Sequence, residues 1–358
     1  MAKIENLFVS DETIETITPV NIKIKKNLKI LTIIDPHAAD HSPGARIDSY
    51  RDAFFDKLDQ VGELAAKHKV DCVVVTGDIF SEKKEQKNSH YLTSMISFKF
   101  LSYPCPVFGI LGNHDLNSNR FESWKTQPAS VLIRSQALQL LDFNHVTFEM
   151  KSGKKVRLRG GSYNHEKNFE YVQESRGDED KLIQVTHFAV CPDGGTYDRY
   201  NEKMYSYKEL ATTPPDVFIL GHIHNYYGIS EIKGTHFLQH GSLMRSTTHC
   251  YNLERGINVG LIEIDPDMNI TCSEIPLNIK PSAEIFDLEK KKRIEEETKR
   301  LEDYLQRLSG DVEELKINEE IDEENLTVEA LIFKLDLMDV DPDELNKKYQ
   351  HYMNQVSS

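Results

Sequence analysis

Short apolar runs and longer stretches of helical periodicity alternate through the first 140 residues. Residues 28–34, 72–75 and 107–111 are apolar runs with the length of buried strands. Between them, Phe54, Leu58, Val61 and Ala65 recur at spacings of three and four and predict a helix over 50–68. Further helices are predicted over 88–101 and 129–141. Strands alternating with helices predict a largely parallel sheet covered by helices. The rhythm then changes. Short strand candidates at 146–150, 156–159, 182–186, 217–220, 236–239 and 259–264 predict a second, more antiparallel sheet. No internal repeat is present.

The two ends are patterned differently. Residues 1–27 are polar and weakly patterned, and read as an N-terminal extension with one strand near 20–24. Residues 285–308 are rich in Glu, Lys and Leu, with Ile294, Leu301, Leu305 and Leu308 on one helical face, a stripe that needs a docking partner. An acidic linker over 309–325 and short helices over 326–337 and 343–356 follow. The expected organisation is an extension (1–27), a main domain (28–270) and a C-terminal, mainly helical region carrying the acidic linker (271–358).

Charge and cysteine content narrow the picture. Of the formal net charge of −15, −11 lies in residues 281–358, which hold 22 acidic and 11 basic side chains. The remainder carries only −4, so the acidity lowers the expectation of a nucleic-acid substrate without excluding one. Cys72, Cys105, Cys191, Cys250 and Cys272 are scattered with no C-x-x-C pair. That predicts a reduced, cytoplasmic setting and argues against thiolate zinc binding. No apolar run approaches the roughly 20 residues that span a bilayer, and the first eleven residues lack the apolar core of a secretory signal, so no membrane is expected.

Candidate chemistry sits at the ends of the predicted strands. Five of them run into Asp35-x-His37, Gly77-Asp78, Gly112-Asn113-His114-Asp115, His187 and Gly221-His222-Ile223-His224. Ligands in α/β sheets collect beyond the carboxyl ends of strands, and loops on rigid strands can aim side chains at one point. Singly, these motifs have ordinary readings: Gly77-Asp78 is a common strand-to-loop turn, and a lone His187 is a core or surface histidine. Together, mixed Asp, His and Asn donors suit borderline-hard divalent metals such as manganese, iron or zinc. Two such ions need a bridging carboxylate. Asp78 fits because Gly77 permits a tight turn. His114, followed at once by Asp115, suits proton donation to a leaving oxygen, so both are candidate catalytic residues.

This motif series resembles the calcineurin-like metallophosphoesterase superfamily over about 28–264, and its layout is similar to that of the SbcD-type DNA repair nucleases. The resemblance implies a four-layer αββα sandwich and a dinuclear centre, with Mn(2+) the expected metal and Mg, Fe or Zn as alternatives. It implies Asp35, His37 and His224 on one metal, Asn113, His187 and His222 on the other, Asp78 bridging, and His114 as catalytic acid or transition-state stabiliser. Gly241-Ser242 with Arg245 resembles, more weakly, the segment after the last metal loop. Two positions depart from the nucleases: Ser81 follows Gly77-Asp78-Ile79-Phe80 where a histidine is usual, and Pro36 replaces an aromatic. Neither is a metal ligand.

The expected function is therefore metal-dependent phosphodiester hydrolysis by metal-activated water, with DNA as substrate in repair or recombination. A homodimer and an SMC-like, SbcC-type ATPase partner are expected with it. The alternatives are a phosphodiesterase or phosphatase acting on nucleotides or phosphoprotein, and a regulatory subunit with a vestigial site. Among other residues, His41 and Arg46 are weaker candidates for phosphate contact. Lys151, Lys154, Lys155, Arg157 and Arg159 read first as a solvated hairpin and second as a nucleic-acid track. Trp124, Tyr163 and Tyr197 are expected in the core or at the rim. His165, His236, His240 and His249 are expected to be structural.

Overall fold

The computed structural model describes residues 18–43, 46–164, 170–197, 202–246, 253–289, 292, 293 and 296. The predicted amphipathic face at Ile294, Leu301, Leu305 and Leu308, the linker, both terminal helices, His165 and His249 lie outside these residues. The chain divides into two units: residues 1–41 with 49–280, and residues 42–48 with 281–358.

The strands of the first unit are β1 (Thr18–Ile24), β2 (Leu28–Ile33), β3 (Cys72–Val75), β4 (Val107–Gly109), β5 (Gln139–Leu140), β6 (Asn144–Met150), β7 (Lys155–Gly161), β8 (Lys181–Thr186), β9 (Val190–Cys191), β10 (Gly195–Tyr197), β11 (Glu202–Ser206), β12 (Val217–Leu220), β13 (Gly228–Ile232), β14 (Thr235–Gln239), β15 (Asn258–Ile264) and β16 (Ile270–Pro276). Its helices are α1 (Tyr50–His68), α2 (His90–Ser102), α3 (Ala129–Arg134), α4 (Glu170–Gln173) and α5 (Tyr207–Leu210).

One sheet has the order β16-β15-β2-β3-β4-β5, parallel from β2 to β5 and antiparallel at β15 and β16. The other has the order β1-β6-β7-β8-β12-β14-β13. It is not the more antiparallel sheet expected, and the strand expected in it at 259–264 is β15, which pairs with β2 in the first sheet. β1/β6, β7/β8, β8/β12 and β12/β14 are parallel, and only β6/β7 and β13/β14 are antiparallel. The reason is connectivity: α4 lies between β7 and β8, and β9–β11 with α5 lie between β8 and β12, so the chain crosses over instead of turning back. The third predicted helix is also shorter than expected. Gln136 adopts a left-handed φ of 57°, and β5 follows.

Period-two alternation sorts the side chains into layers. Ile30, Cys72, Val74 and Phe108 of the first sheet pack on Phe148, Leu158, Ile183, Val185 and Ile219 of the second. Leu31, Ile33, Val73 and Val75 face the other way, against Phe54 and Leu58 of α1, Ile96 and Phe100 of α2 and Leu132 of α3. Phe218, Leu220 and Phe237 cover the far side with Val172, Tyr207 and Leu210. This is the four-layer αββα sandwich. Each buried apolar side chain contributes about 1.5–3 kcal/mol, so the strand ends are rigid mounts for the loops that follow. α1 starts at Ser49, whose side chain accepts from the Asp52 N–H, and ends at Lys69 in a left-handed cap.

In the second unit, the Ile47 N–H donates to the Ile285 carbonyl at 2.9 Å, and Arg46 bridges to Phe286 next to a short helix, α6 (Ser282–Ile285). The Arg46 guanidinium binds Asp48 at 2.5 and 3.1 Å and lies over the Phe286 ring.

Candidate metal centre

The five predicted motifs follow the carboxyl ends of β2, β3, β4, β8 and β12, on both central sheets. Their backbones are unusual. Asp35 (φ 40°), His37 (φ 51°), Asp78 (φ 47°) and His222 (φ 80°) all adopt left-handed conformations without being glycine. Such strain costs on the order of 1–3 kcal/mol per residue and persists where the surroundings over-determine it, typically at functional sites. Two glycines allow the loops to close on one another. A Cβ at Gly77, which itself has a φ of 95°, would lie 2.4 Å from the Gly112 nitrogen, and one at Gly112 would lie 2.0 Å from Asp78 Oδ1. The His37 N–H donates to the Asp78 carbonyl at 2.9 Å, and the His114 N–H to Asp78 Oδ1 at 2.8 Å.

The donors sort around the two oxygens of Asp78. On the Oδ1 side lies His187 Nε2 at 3.4 Å. Asn113 Oδ1 is 3.3 Å from His187 Nε2 and 3.1 Å from His222 Nδ1. On the Oδ2 side lies His37 Nε2 at 3.6 Å, which in turn is 2.7 Å from His224 Nε2. His37, Asp78 and His224 offer ligand atoms all within 4.8 Å of one another. Asp35 is buried beside His187, whose Nδ1 lies 3.7 Å from its Oδ1; Oδ1 accepts from the Thr76 hydroxyl (2.9 Å) and Oδ2 from the His222 N–H (2.8 Å).

The electrostatics fit a cation. Burial, reinforced by neighbouring imidazoles, lowers His37 to about 3 and holds His224 well below its usual range, so two neutral rings face each other. Burial raises Asp35 to about 7, with His187 opposing and Asp78 assisting. Burial would raise Asp78 too, but His187 and His114 pull it well below the carboxylate range. Burial alone would lower His187; the Asp78 and Asp35 carboxylates overcome it and push the ring up to about 9. A proton on His187 thus stands where positive charge is wanted. Its Nδ1 donates to the Thr76 carbonyl at 2.7 Å, so a neutral ring turns the Nε2 lone pair toward Asn113 and Asp78.

These shifts make the metal-free chain sensitive to pH. The stability contributed by the raised His187 is complete below pH 6.5 and is lost as the pH rises through about 9. Asp35, raised from 3.8 to about 7, acts in the same direction at lower pH. The lowered His37 acts oppositely, but only between about pH 3 and 6.5. The melting temperature of the chelated protein should therefore fall from pH 6.5 to 9. Added manganese should restore it most at pH 9, where protons compete least. Thermal melts in chelator that are level over this range would refute the charge arrangement.

His114 and Asp115 play different parts. The His114 ring is edge-on to His37 with centroids 5.1 Å apart, and its Nδ1 donates to the Ser81 carbonyl at 2.7 Å, leaving Nε2 as the nitrogen able to exchange a proton with a ligand. The Asp115 carboxylate is buried and accepts from the Ile79, Phe80 and Gly112 N–H groups at 2.9–3.2 Å. Asp115 therefore binds the Asp78 and Asn113 loops together. Thr76 and Ser81 were not apparent as site residues from the sequence: Ser81 acts through its backbone carbonyl, and Thr76 through its carbonyl and a hydroxyl that binds Asp35. Glu202 was not apparent either; its carboxylate lies 3.3 Å from His222 Nε2.

The remaining candidates are placed as follows. His41 is exposed and pairs with Glu82 at 3.1 Å, and Arg46 is committed to Asp48. Arg157 faces Glu179, Arg159 bonds Gln184 and Glu174, and Lys155 pairs with Asp178, so these basic residues of the β6–β7 hairpin have acidic partners. Trp124 is in the core. Tyr163 is partly buried with its ring 5.6 Å from that of His222. His240 is buried against the Thr32 hydroxyl. Arg245 donates to the Lys280 carbonyl. Cys72, Cys105, Cys191 and Cys272 are free thiols, and no helix among the described residues is long and apolar enough to cross a membrane.

Residues 28–226, which carry all of these donors, match the calcineurin-like phosphoesterase family. The chain belongs to that family. It is a metal-dependent phosphoesterase, and the family binds two divalent metals. Among solved structures, the chain is similar to the calcineurin-like phosphoesterase YfkN from Bacillus subtilis, with 14% identity and a TM-score of 0.44 over 72% of this chain and 91% of that one. It is also similar to a dimetal phosphatase from Danio rerio, with 13% identity and a TM-score of 0.43 over 70% of this chain and 99% of that one.

Proposed function

We propose that this phosphoesterase hydrolyses the phosphodiester bonds of DNA, in the manner of the SbcD-type nucleases whose motif layout it resembles. The observation that carries phosphodiester chemistry is the convergence of imidazole, amide and carboxylate donors on both oxygens of Asp78, with His114 beside them. The proposed ligand sets are Asp35, His37 and His224 for one cation and Asn113, His187 and His222 for the other, with Asp78 shared. Bound there, the two cations would supply positive charge to the phosphoryl oxygens and lower the pKa of water. The protein contributes orientation. Thr76 fixes the His187 ring, and Asp115 fixes the Asp78 loop. Ser81 fixes His114 so that Nε2 can deliver a proton to the departing ester oxygen. An SMC-like ATPase partner belongs to this proposal.

A second reading, in which the substrate is a small phosphodiester, is favoured by one observation. Lys155, Arg157 and Arg159 are paired with acidic groups and so offer DNA little net positive charge. The test is cleavage of end-labelled single- and double-stranded DNA beside bis-p-nitrophenyl phosphate, in manganese. The DNA proposal expects cleavage of DNA that stops in chelator. Turnover of the small diester alone would overturn DNA as an autonomous substrate and leave the second reading.

A further inference from the structure

We propose that Glu202 is a positioning residue for the Asn113–His187–His222 pocket, holding His222 with its Nδ1 lone pair turned toward Asn113. The proposal rests on the reading that these donors hold a cation. Glu202 is 20 residues from His222 in sequence and belongs to no metal-loop motif. It opens β11, which pairs with β10 on one side and on the other with β9, the strand that follows directly on the His187 loop. The Tyr205 N–H donates to the Ala189 carbonyl at 2.9 Å, and the Phe188 and Tyr205 rings meet edge-on, so this small sheet is anchored beside His187.

From that position the Glu202 carboxylate reaches the His222 loop. Oε2 lies 3.3 Å from His222 Nε2. The His222 side chain is 3% exposed and that of Glu202 27%, so the contact is sheltered at the imidazole end and open at the other. An ionised carboxylate can only accept, so the hydrogen of a neutral His222 must sit on Nε2. Nδ1 then carries the lone pair, 3.1 Å from Asn113 Oδ1. By accepting at Nε2, Glu202 favours the tautomer whose hydrogen is kept off Nδ1, where it would block coordination. Thr76 does the equivalent for His187 with a carbonyl. The two histidines on the Oδ1 side of Asp78 are thus set in opposite tautomers by different acceptors. A carboxylate behind a ligating histidine also raises its basicity, and losing such a partner typically weakens metal binding by about 10–100-fold.

The test compares full-length wild-type, Glu202→Gln and Glu202→Ala proteins by manganese titration calorimetry, with electron paramagnetic resonance of the loaded forms. Wild type should bind two manganese ions as a spin-coupled pair. In Glu202→Ala, one of the two should weaken by about 10–100-fold and the coupled signal should disappear at stoichiometric metal, while the other ion keeps its affinity. Glu202→Gln retains an acceptor oxygen and should stay within about threefold of wild type on the same scale. Wild-type affinity at both positions in Glu202→Ala would overturn the positioning role. So would equal weakening in Glu202→Ala and Glu202→Gln, since the acceptor would then not be what matters. A wild type that binds no manganese pair would instead refute the underlying two-cation reading. Melting of the chelated proteins serves as the fold control; if Glu202→Ala does not fold, Glu202→Leu takes its place with the same expectations.

Discussion

Asp78→Asn should abolish binding of the cation pair and reduce phosphodiester hydrolysis by more than about 10³-fold, because several kcal/mol of transition-state stabilisation are lost with the metals. Asp78 has one oxygen toward each donor group, His187 at 3.4 Å on one side and His37 at 3.6 Å on the other. Asparagine preserves the shape, and its oxygen can still accept the His114 N–H, so the loop should hold. What disappears is the charge that both cations would share. The same substitution removes the main group holding His187 above its normal range, so the pH dependence of the chelated protein's melting should flatten. Metal content after dialysis, read beside turnover, checks this. Two metals per chain in Asp78→Asn would show that the carboxylate is not shared.

His114→Ala should lower kcat by about 10²–10⁴-fold while both cations remain bound. The His114 imidazole is not among the proposed metal ligands; its ring stands edge-on to His37 and its Nδ1 is held by the Ser81 carbonyl. Its free nitrogen matters most when the leaving oxygen is a poor leaving group. The loss should therefore be larger for DNA or an alkyl diester than for bis-p-nitrophenyl phosphate, whose nitrophenolate departs without a proton. Steady-state rates on the two substrate types, with metal content measured on the same preparation, separate the possibilities. An equal loss on both would assign His114 to charge stabilisation and not to proton delivery. A lost metal would make it a ligand.

How much of this was legible in the sequence follows from where the information lies. Asp35, His37, Asp78, Asn113, His187, His222 and His224 stand directly after apolar strands, and strand ends are readable from hydrophobicity alone. The layers were readable for the same reason, since alternate residues of β2 and β3 are apolar on both faces. Strand direction in the second sheet was not, because direction depends on whether a connection crosses over, and α4 and α5 are only four residues each. Asp115 read as a candidate catalytic residue beside His114; in the structure three backbone N–H groups engage its carboxylate. The acidic partners of the hairpin, Glu174, Asp178 and Glu179, lie 15 to 23 residues away from Arg159, Lys155 and Arg157, so spacing could not pair them. Glu202 was invisible for the same reason.

A shared-carboxylate dinuclear centre is tested most directly by titrating chelated protein with manganese while following hydrolysis of bis-p-nitrophenyl phosphate. Turnover should be negligible through the first equivalent and rise as the second binds. Full turnover in chelator, or at a single equivalent, would contradict a catalytic centre built on two cations around Asp78.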